Sequence, residues 1–229
     1  MRVRWVTFDC FGTLVDWHSG FAAILRAIAG NRTAELLRAY HAFEPEIEAE
    51  RPHRLYAEVL VTALLLAARK TGVNLSESQA RSLPRAWGSL PVFPDVPPEL
   101  AALRKAGYRL GVLTNCDEAL FEQTQRCFPA PFDAVVTAER VRDYKPSLSH
   151  FRFFEQTSGV DHADWVHVAC SWFHDIAPAR QVGISRIWLD RDGTGEDAAA
   201  ASLRLASARG LADAIAQMYS GQGINSKTA

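Results

Sequence analysis

Charge of one sign is what this chain lacks first: 25 lysines and arginines stand against 26 aspartates and glutamates, a formal net charge of -1 over 229 residues. With both signs mixed along the chain there is no electrostatic footprint for a polyanion, so nucleic acid and anionic membrane surfaces are excluded as expected partners. Long hydrophobic runs are also missing. The run from Val59 to Ala68 contains Thr62 and falls far short of the roughly 20 residues that span a bilayer. The opening MRVRWVTFDC breaks at Asp9 before a secretory core can form, so neither export nor a membrane segment is expected. Cysteine is sparse. Cys10, Cys116, Cys127 and Cys170 are scattered without a CxxC pair, which argues against a disulfide framework or zinc site and for reduced thiols in the cytoplasm. Repeats and low-complexity tracts are absent apart from the Ala-rich EDAAAASLRLASA, which reads as a surface helix, and the polar tail SGQGINSKTA is expected to fray.

What is there is enough chain to bury a substantial core without staples, either as one large domain or as a core with an insert. Arg2 to Phe8 reads as a short strand that ends at Asp9 in a glycine-containing loop. Tyr108 to Leu113, Ala134 to Val136, Trp165 to Ala169 and Ser185 to Leu189 read as further strands, separated by helix-like segments. That alternation predicts a parallel sheet with helices on both faces. Between Asp16 and about Leu90 strand signals vanish, and AAILRAIAG, TAELLRAYHAFEPEIEAE, RLYAEVLVTALLLAARKTG and NLSESQARSLPRAWGSL predict helices. PVFPDVPPEL, with four prolines, is the expected re-entry linker, with Pro97, Pro98 and Glu99 opening the next helix. The expected fold is therefore a three-layer, doubly wound (Rossmann-like) α/β core from residues 1–15 plus 93–229, carrying a helical cap at 16–92.

In an open parallel sheet, chemistry collects at the carboxyl ends of the strands, near the topological switch point. There the chain offers Asp9-Cys10-Phe11-Gly12-Thr13, Thr114-Asn115, Lys145-Pro146, and Cys170-Ser171 with His174-Asp175. One candidate nucleophilic carboxylate, small hydroxyls, a cation and a second carboxylate thus come from four separate loops. Cys10, Cys116 and Cys170 fall at strand ends as well and are expected to lie near one another, either as inert buried thiols or as a redox-sensitive or soft-metal site.

The strings FDCFGTLVD, VLTNCD, DYKPSLSHF and CSWFHDIAPA, in that order, resemble the four motifs of the haloacid dehalogenase superfamily, and the resemblance covers the core almost end to end. It implies that Asp9 attacks the substrate and that water then cleaves the resulting aspartyl intermediate, dividing one hard displacement into two easier steps. It implies that Lys145 offsets negative charge beside Asp9, that Asp175 orients Lys145 or the hydrolytic water, and that Thr13, Thr114 and Asn115 hold the substrate carboxylate. Phosphatases of the superfamily carry a general acid two residues after the nucleophile, where this chain has Phe11. An aromatic ring cannot protonate a leaving oxygen, whereas halide needs no proton to leave. The fourth motif of the phosphatases carries two acids that help hold magnesium. Here Ser171 takes the first position, so a hard cation loses a charged ligand and no metal or other cofactor is expected.

The chain thus resembles the 2-haloacid dehalogenase branch, acting on a small carboxylic acid, but with departures. Cys170, Trp172 and Phe151 stand where that branch has a Ser-x-Asn element and an aromatic hydroxyl, while SWFHD resembles a side branch that includes an azetidine-2-carboxylate hydrolase, a ring-opening relative. Two readings of His174 stand side by side: a proton donor to a leaving amine or base for water, and a structural histidine on a loop carbonyl. Arg38 falls where the dehalogenases place a halide-gripping arginine, or else on an exposed helix face. Trp17, Tyr40 and Phe43 are candidates for an apolar lid or for core packing. The alternatives to this reading are a magnesium-dependent phosphatase and a catalytically degenerate binding protein, and a homodimer is an open expectation.

Overall fold

The computed structural model describes residues 3–194 and 197–225. The central strand β1 (Trp5–Phe8) is buried along its whole length, as a strand covered on both faces must be. The chain then runs through five helices, α1 (Trp17–Ala29), α2 (Thr33–Glu48), α3 (Tyr56–Thr71), α4 (Glu77–Ala80) and α5 (Ser82–Arg85), before α6 (Val96–Lys105) and β2 (Arg109–Thr114). After these come α7 (Glu118–Gln125), β3 (Ala134–Thr137), α8 (Ala138–Val141), α9 (Ser149–Ser158) and β4 (Trp165–Ala169). A π-helical turn (Trp172–Ile176) leads into α10 (Ala177–Val182), β5 (Ser185–Leu189), β6 (Leu203–Leu205) and α11 (Leu211–Asn225).

The six strands form one sheet in the order β3-β2-β1-β4-β5-β6, every pair parallel. Winding leaves β1 toward β2 and β3 on one side and toward β4, β5 and β6 on the other, so the switch point lies beside β1. Register makes that crevice a site. Phe8 pairs with Val112 on one side and Val168 on the other, so the three strands end nearly level and Asp9 emerges between the loops that follow β2 and β4.

The helical segment is tied to the sheet at both of its connectors. Val15 and Val92 form an antiparallel bridge, flanked by hydrogen bonds from Asp16 N to Pro91 O (2.8 Å) and from Phe93 N to Leu14 O (3.0 Å). A carboxylate reaches across as well: Asp117, just after β2, accepts from the Tyr56 and Ala57 amides (2.6 and 2.7 Å), satisfying otherwise orphaned donors at the start of α3. One apolar cluster accordingly runs from Val6, Phe8 and Val112 of the sheet through Leu14 and Val15 into Leu36, Tyr40, Leu60 and Leu64.

Local sequence accounts for most boundaries. The Asp16 side chain accepts from Ser19 N (3.1 Å) at the start of α1, and α3 stops at Gly72, whose φ of 68° suits a residue without Cβ. The stretch expected as one helix at 74–90 is instead α4, α5 and a 3₁₀ turn (Trp87–Ser89): Pro84 has no amide to continue α4, and the helix restarts around it. The Ala-rich tract is a second correction. Apart from Glu196, which lies outside the described residues, it forms a 3₁₀ turn (Ala198–Ala200) and then β6, where Ile187 pairs with Leu203 and Leu189 with Leu205. Alternation of Leu203, Arg204 and Leu205 fits an edge strand, and pairing with β5 overrides the helix propensity of the alanines. The tail expected to fray continues α11 as far as Asn225, and residues 226–229 lie outside the described residues, as does Arg2 of the first expected strand.

Candidate active site

The loops at the ends of β1, β2 and β4 converge on a buried ion network. Lys145 Nζ donates to Asp9 Oδ1 (2.8 Å), Asp175 Oδ1 (2.6 Å) and the Leu113 carbonyl (3.0 Å). Three donors are all an ammonium has, so each is spent. The Thr13 hydroxyl donates to the other oxygen of the nucleophile candidate, Asp9 Oδ2 (2.7 Å), and accepts from the Cys170 amide (2.9 Å). Thr13 is therefore a positioning group for Asp9, fully buried and absent from the cavity lining. Gly12 makes this close loop possible: its φ is 90°, and a Cβ there would lie 2.8 Å from Cys170 Sγ.

Asp175 is held from behind by residues that motif reading had passed over. Trp165 Nε1 donates to Thr7 Oγ1 (2.8 Å), so the threonine hydrogen is free to go to His167 Nδ1 (2.9 Å), and His167 Nε2 donates to Asp175 Oδ1 (3.1 Å). Because an ionised carboxylate only accepts, Asp175 fixes a proton on His167 Nε2, with Thr7 and the indole aligned behind the ring. Burial alone would raise the Asp175 carboxyl, but Lys145 and His167 outweigh it and hold it well below the ordinary range. Its second oxygen, Oδ2, is buried without a hydrogen-bond partner. The signal for His167 was a lone imidazole in the otherwise apolar strand WVHVA. Lys145 is affected in the opposite sense: burial would lower it, and the two carboxylates raise it well above the usual lysine value.

Above this network lies a cavity of about 490 Å³, lined from the sheet side by Asp9, Phe11, Thr114, Asn115, Lys145, Cys170, Ser171, His174 and Asp175. Of the remaining sequence candidates, Trp17 lines it too, while Arg38 is exposed on α2 and lies outside the lining, so the halide-gripping arginine expected there is missing. Arg38 stands three residues before His41 and seven before Pro45, so helical spacing alone would allow it on the cavity side, yet it lies toward the start of α2, exposed and beyond the lining. Asn115 spends its amide on the chain: its Oδ1 accepts from Lys145 N (2.7 Å) and its Nδ2 donates to Lys145 O (3.1 Å), pinning the lysine loop. Ser171 Oγ accepts from His174 N (3.1 Å) and bonds His174 Nδ1 (2.9 Å). Burial, only partly opposed by Asp175, lowers the His174 imidazole below its ordinary value. Phe11 packs its ring 5.0 Å from that of Trp87. Tyr40 is buried outside the lining and bonds Glu44, and Phe43 packs on the apolar cluster under Lys70.

The helical insert contributes more to the cavity than its apolar pattern suggested: Trp17, His18, His41, Glu44, Pro45, Glu48, Tyr56 and Trp87 all line it. The legible signal was the spacing of Tyr40, Glu44 and Glu48, one turn apart on α2. Burial and the Glu44 carboxylate push the Glu48 carboxyl up to about 8, Lys145 offsetting only part. A carboxyl raised on folding favours the native state while it stays protonated and withdraws that stability as pH climbs from the unfolded value of about 4.3 toward the folded one. Glu48→Gln is therefore expected to melt with the wild type in mild acid and a few degrees above it in alkali, as thermal melts across that window would show.

Three thiols do lie at these strand ends. Cys10 and Cys116 are buried, and burial raises both well above the ordinary thiol value and pushes Cys170 up to about 12. Such thiols are poor nucleophiles at neutral pH. Among the described residues, no group of three His, Cys, Asp or Glu side chains is arranged to hold a metal ion, and none of the helices is long and apolar enough to cross a membrane.

A parallel sheet with a lysine-bridged carboxylate pair at its switch point, roofed by a helical insert, defines a doubly wound, Rossmann-like α/β protein with a buried Asp at the floor of its cavity. Comparison makes the family specific. The family model for haloacid dehalogenase-like hydrolases matches residues 3–183, and the chain belongs to that family. Among curated proteins it is similar to an (S)-2-haloacid dehalogenase of Pseudomonas sp. (strain YL), 25% identical over 197 residues, covering 83% of this chain and 84% of the relative. It is also similar to haloacetate dehalogenase H-2 of Moraxella sp. (strain B), 24% identical over 203 residues, covering 86% and 89%. Among solved structures, an L-2-haloacid dehalogenase superposes with a TM-score of 0.84 at 24% identity, over 93% of this chain and 98% of that one. The L-2-haloacid dehalogenase of Xanthobacter autotrophicus with chloropropionic acid covalently bound gives 0.79 at 20% identity, over 94% and 99%.

Proposed function

We propose that this hydrolase acts on a small 2-substituted carboxylic acid through an ester on Asp9, by 2-haloacid dehalogenation or a related ring-opening hydrolysis. The observation that carries the reading is Asp9 itself, gripped on Oδ1 by Lys145 and on Oδ2 by Thr13 at the floor of a cavity whose next side chain outward, Phe11, has no proton to give. One Asp9 oxygen bonds to the substrate carbon as the leaving group departs with its electron pair. Water then attacks the ester carbonyl, organised by Asp175, Ser171 and His174, with Thr114 and the loop amides facing the substrate carboxylate. The names of the curated relatives support this chemistry over phosphate transfer. So does Ser171, whose hydroxyl is committed to His174 and which brings no carboxylate to a cation. We read the reaction as metal-independent and residues 16–92 as the cap that closes over a small acid.

Single turnover of 2-halopropionate in ¹⁸O water, with chelator present, tests this. Label is expected in the Asp9 side chain and not in the first product, because the ester oxygen leaves with the product and water refills the carboxylate. Labelled first product with unlabelled Asp9, or activity on a phosphate ester that the chelator abolishes, would overturn the proposal.

A further inference from the structure

The charge of the cavity is at odds with a simple anion as its guest. Its lining includes the carboxylates of Asp9, Glu44, Glu48, Asp175 and Asp192, and Lys145 is the one lysine or arginine among its described residues. That lysine has no donor left over, since Asp9, Asp175 and the Leu113 carbonyl take all three. A substrate with a carboxylate alone would enter a net negative, partly desolvated space and find only neutral donors.

The wall formed by α2 has the opposite need. Glu44 Oε1 accepts from both Tyr40 (2.7 Å) and Tyr56 (2.6 Å), which fixes the carboxylate and leaves Oε2 with only His41 nearby, at 3.6 Å. Glu48 lies one turn further along the same face, and among the described residues its carboxyl has no hydrogen-bond or ion-pair partner. Trp17, Tyr56 and Trp87 line the same cavity and bring aromatic faces, which attract a desolvated cation as well as exclude water. A carboxylate fixed by two tyrosines with only His41 near its free oxygen, and one turn along a carboxyl that keeps its proton until a cation arrives, both beside aromatic rings in the cavity of Asp9, are complementary to an ammonium group.

We propose that Glu48 and Glu44 form an ammonium subsite in the α2 wall, and that the substrates are small zwitterionic acids whose protonated amine sits there while their carboxylate faces Thr114. This rests on the ester-forming reading above and leaves its bond changes as stated: the amine is the group recognised, and carbon still exchanges its leaving group for an Asp9 oxygen. The partnerless Glu48 carboxyl, raised by burial and by Glu44, is relieved when a cation arrives beside it.

Two unreactive ligands of one shape separate the possibilities. Pyrrolidine-2-carboxylate carries an ammonium where tetrahydrofuran-2-carboxylate carries an ether oxygen. Calorimetric binding to the wild type and to Glu48→Gln, an isosteric change that breaks no hydrogen bond, is expected to show the amine binding roughly tenfold or more tighter, with most of that preference gone in the variant. Equal or tighter binding of the ether, failure of both to bind, or a preference that survives in Glu48→Gln would overturn the subsite. The ¹⁸O experiment, run with 2-chloro-4-aminobutyrate beside 2-halopropionate so that a substrate bearing the ammonium is included, keeps the two proposals apart. Label in Asp9 alongside a preference for the ether sinks the ammonium subsite alone, whereas an amine preference lost in Glu48→Gln without label in Asp9 supports the subsite and sinks the ester mechanism alone.

Discussion

Lys145→Met is expected to cost about 3–5 kcal/mol of stability and at least ~10³-fold in turnover, and to reverse the pH dependence of what stability remains. Lys145 is almost wholly buried and bonds Asp9 at 2.8 Å and Asp175 at 2.6 Å, so a methionine there leaves two desolvated carboxylates without their shared cation, held only by Thr13 and His167, and removes a donor from the Leu113 carbonyl. In the wild type the Asp175 carboxyl is depressed, so its contribution is in place above the ordinary carboxylate value of about 3.9 and fades as pH falls through the lowered one. Without the ammonium, burial is the dominant influence on Asp175, and it raises that carboxyl. Stability of the variant should then decline as pH rises from mild acid to mild alkali, where the wild type holds steady. Denaturant midpoints for the two proteins across that range decide the matter, and a variant whose midpoint tracks the wild type would show that Lys145 does not neutralise the pair.

Much of this architecture was legible because it follows from short-range patterns. Each of the strands that carry the site is an apolar or β-branched run punctuated by a polar residue at its carboxyl end, and the parallel order follows once helices alternate with them. Asp9, Lys145 and Asp175 could be named because ordered motifs mark them. The missed elements depend on partners far away in sequence. β6 is a strand only because β5 offers it an edge, and nothing local to Leu203–Leu205 outweighs four consecutive alanines before it. Thr7, Trp165 and His167 form a relay across neighbouring strands, visible only when the register is known.

The insert was legible as helices but not as chemistry. Glu44 and Glu48 look like the solvated face of an amphipathic helix until Tyr56 of the next helix and the sheet below it are in place. Arg38 fails for the same reason in reverse. It shares helical spacing with His41 and Pro45, which do line the cavity, but it lies nearer the start of α2, where the chain leaves it exposed to solvent.

Asp175→Asn is expected to trap the covalent intermediate: the first turnover still adds the substrate to Asp9, while hydrolysis slows by about 10²-fold or more. Asp175 Oδ1 is fully occupied by Lys145 and His167, whereas Oδ2, buried in a residue that lines the cavity, is the one oxygen of the Lys145-bridged pair without a hydrogen-bond partner and so the one placed to receive a proton from water at the ester. Asparagine can keep an oxygen toward Lys145, but then it presents an NH₂ where that bare oxygen was, which donates instead of accepting. A carboxylate held as low as Asp175 is a weak base, which places the expected loss toward the lower end of what general bases contribute; orienting the water is the larger part. Esterification removes one negative charge from beside Lys145, so the lysine and Asp175 remain as a balanced buried pair during the water step. Replacing His167 with Phe should partly reproduce the effect, since Oδ1 keeps Lys145 but loses its second donor and the carboxylate is free to rotate. Intact-mass and peptide analysis after rapid quenching would find the substrate-derived increment on the peptide containing Asp9, long-lived in Asp175→Asn and intermediate in His167→Phe. Equal loss of ester formation and ester hydrolysis in Asp175→Asn would instead place this carboxylate in the first chemical step.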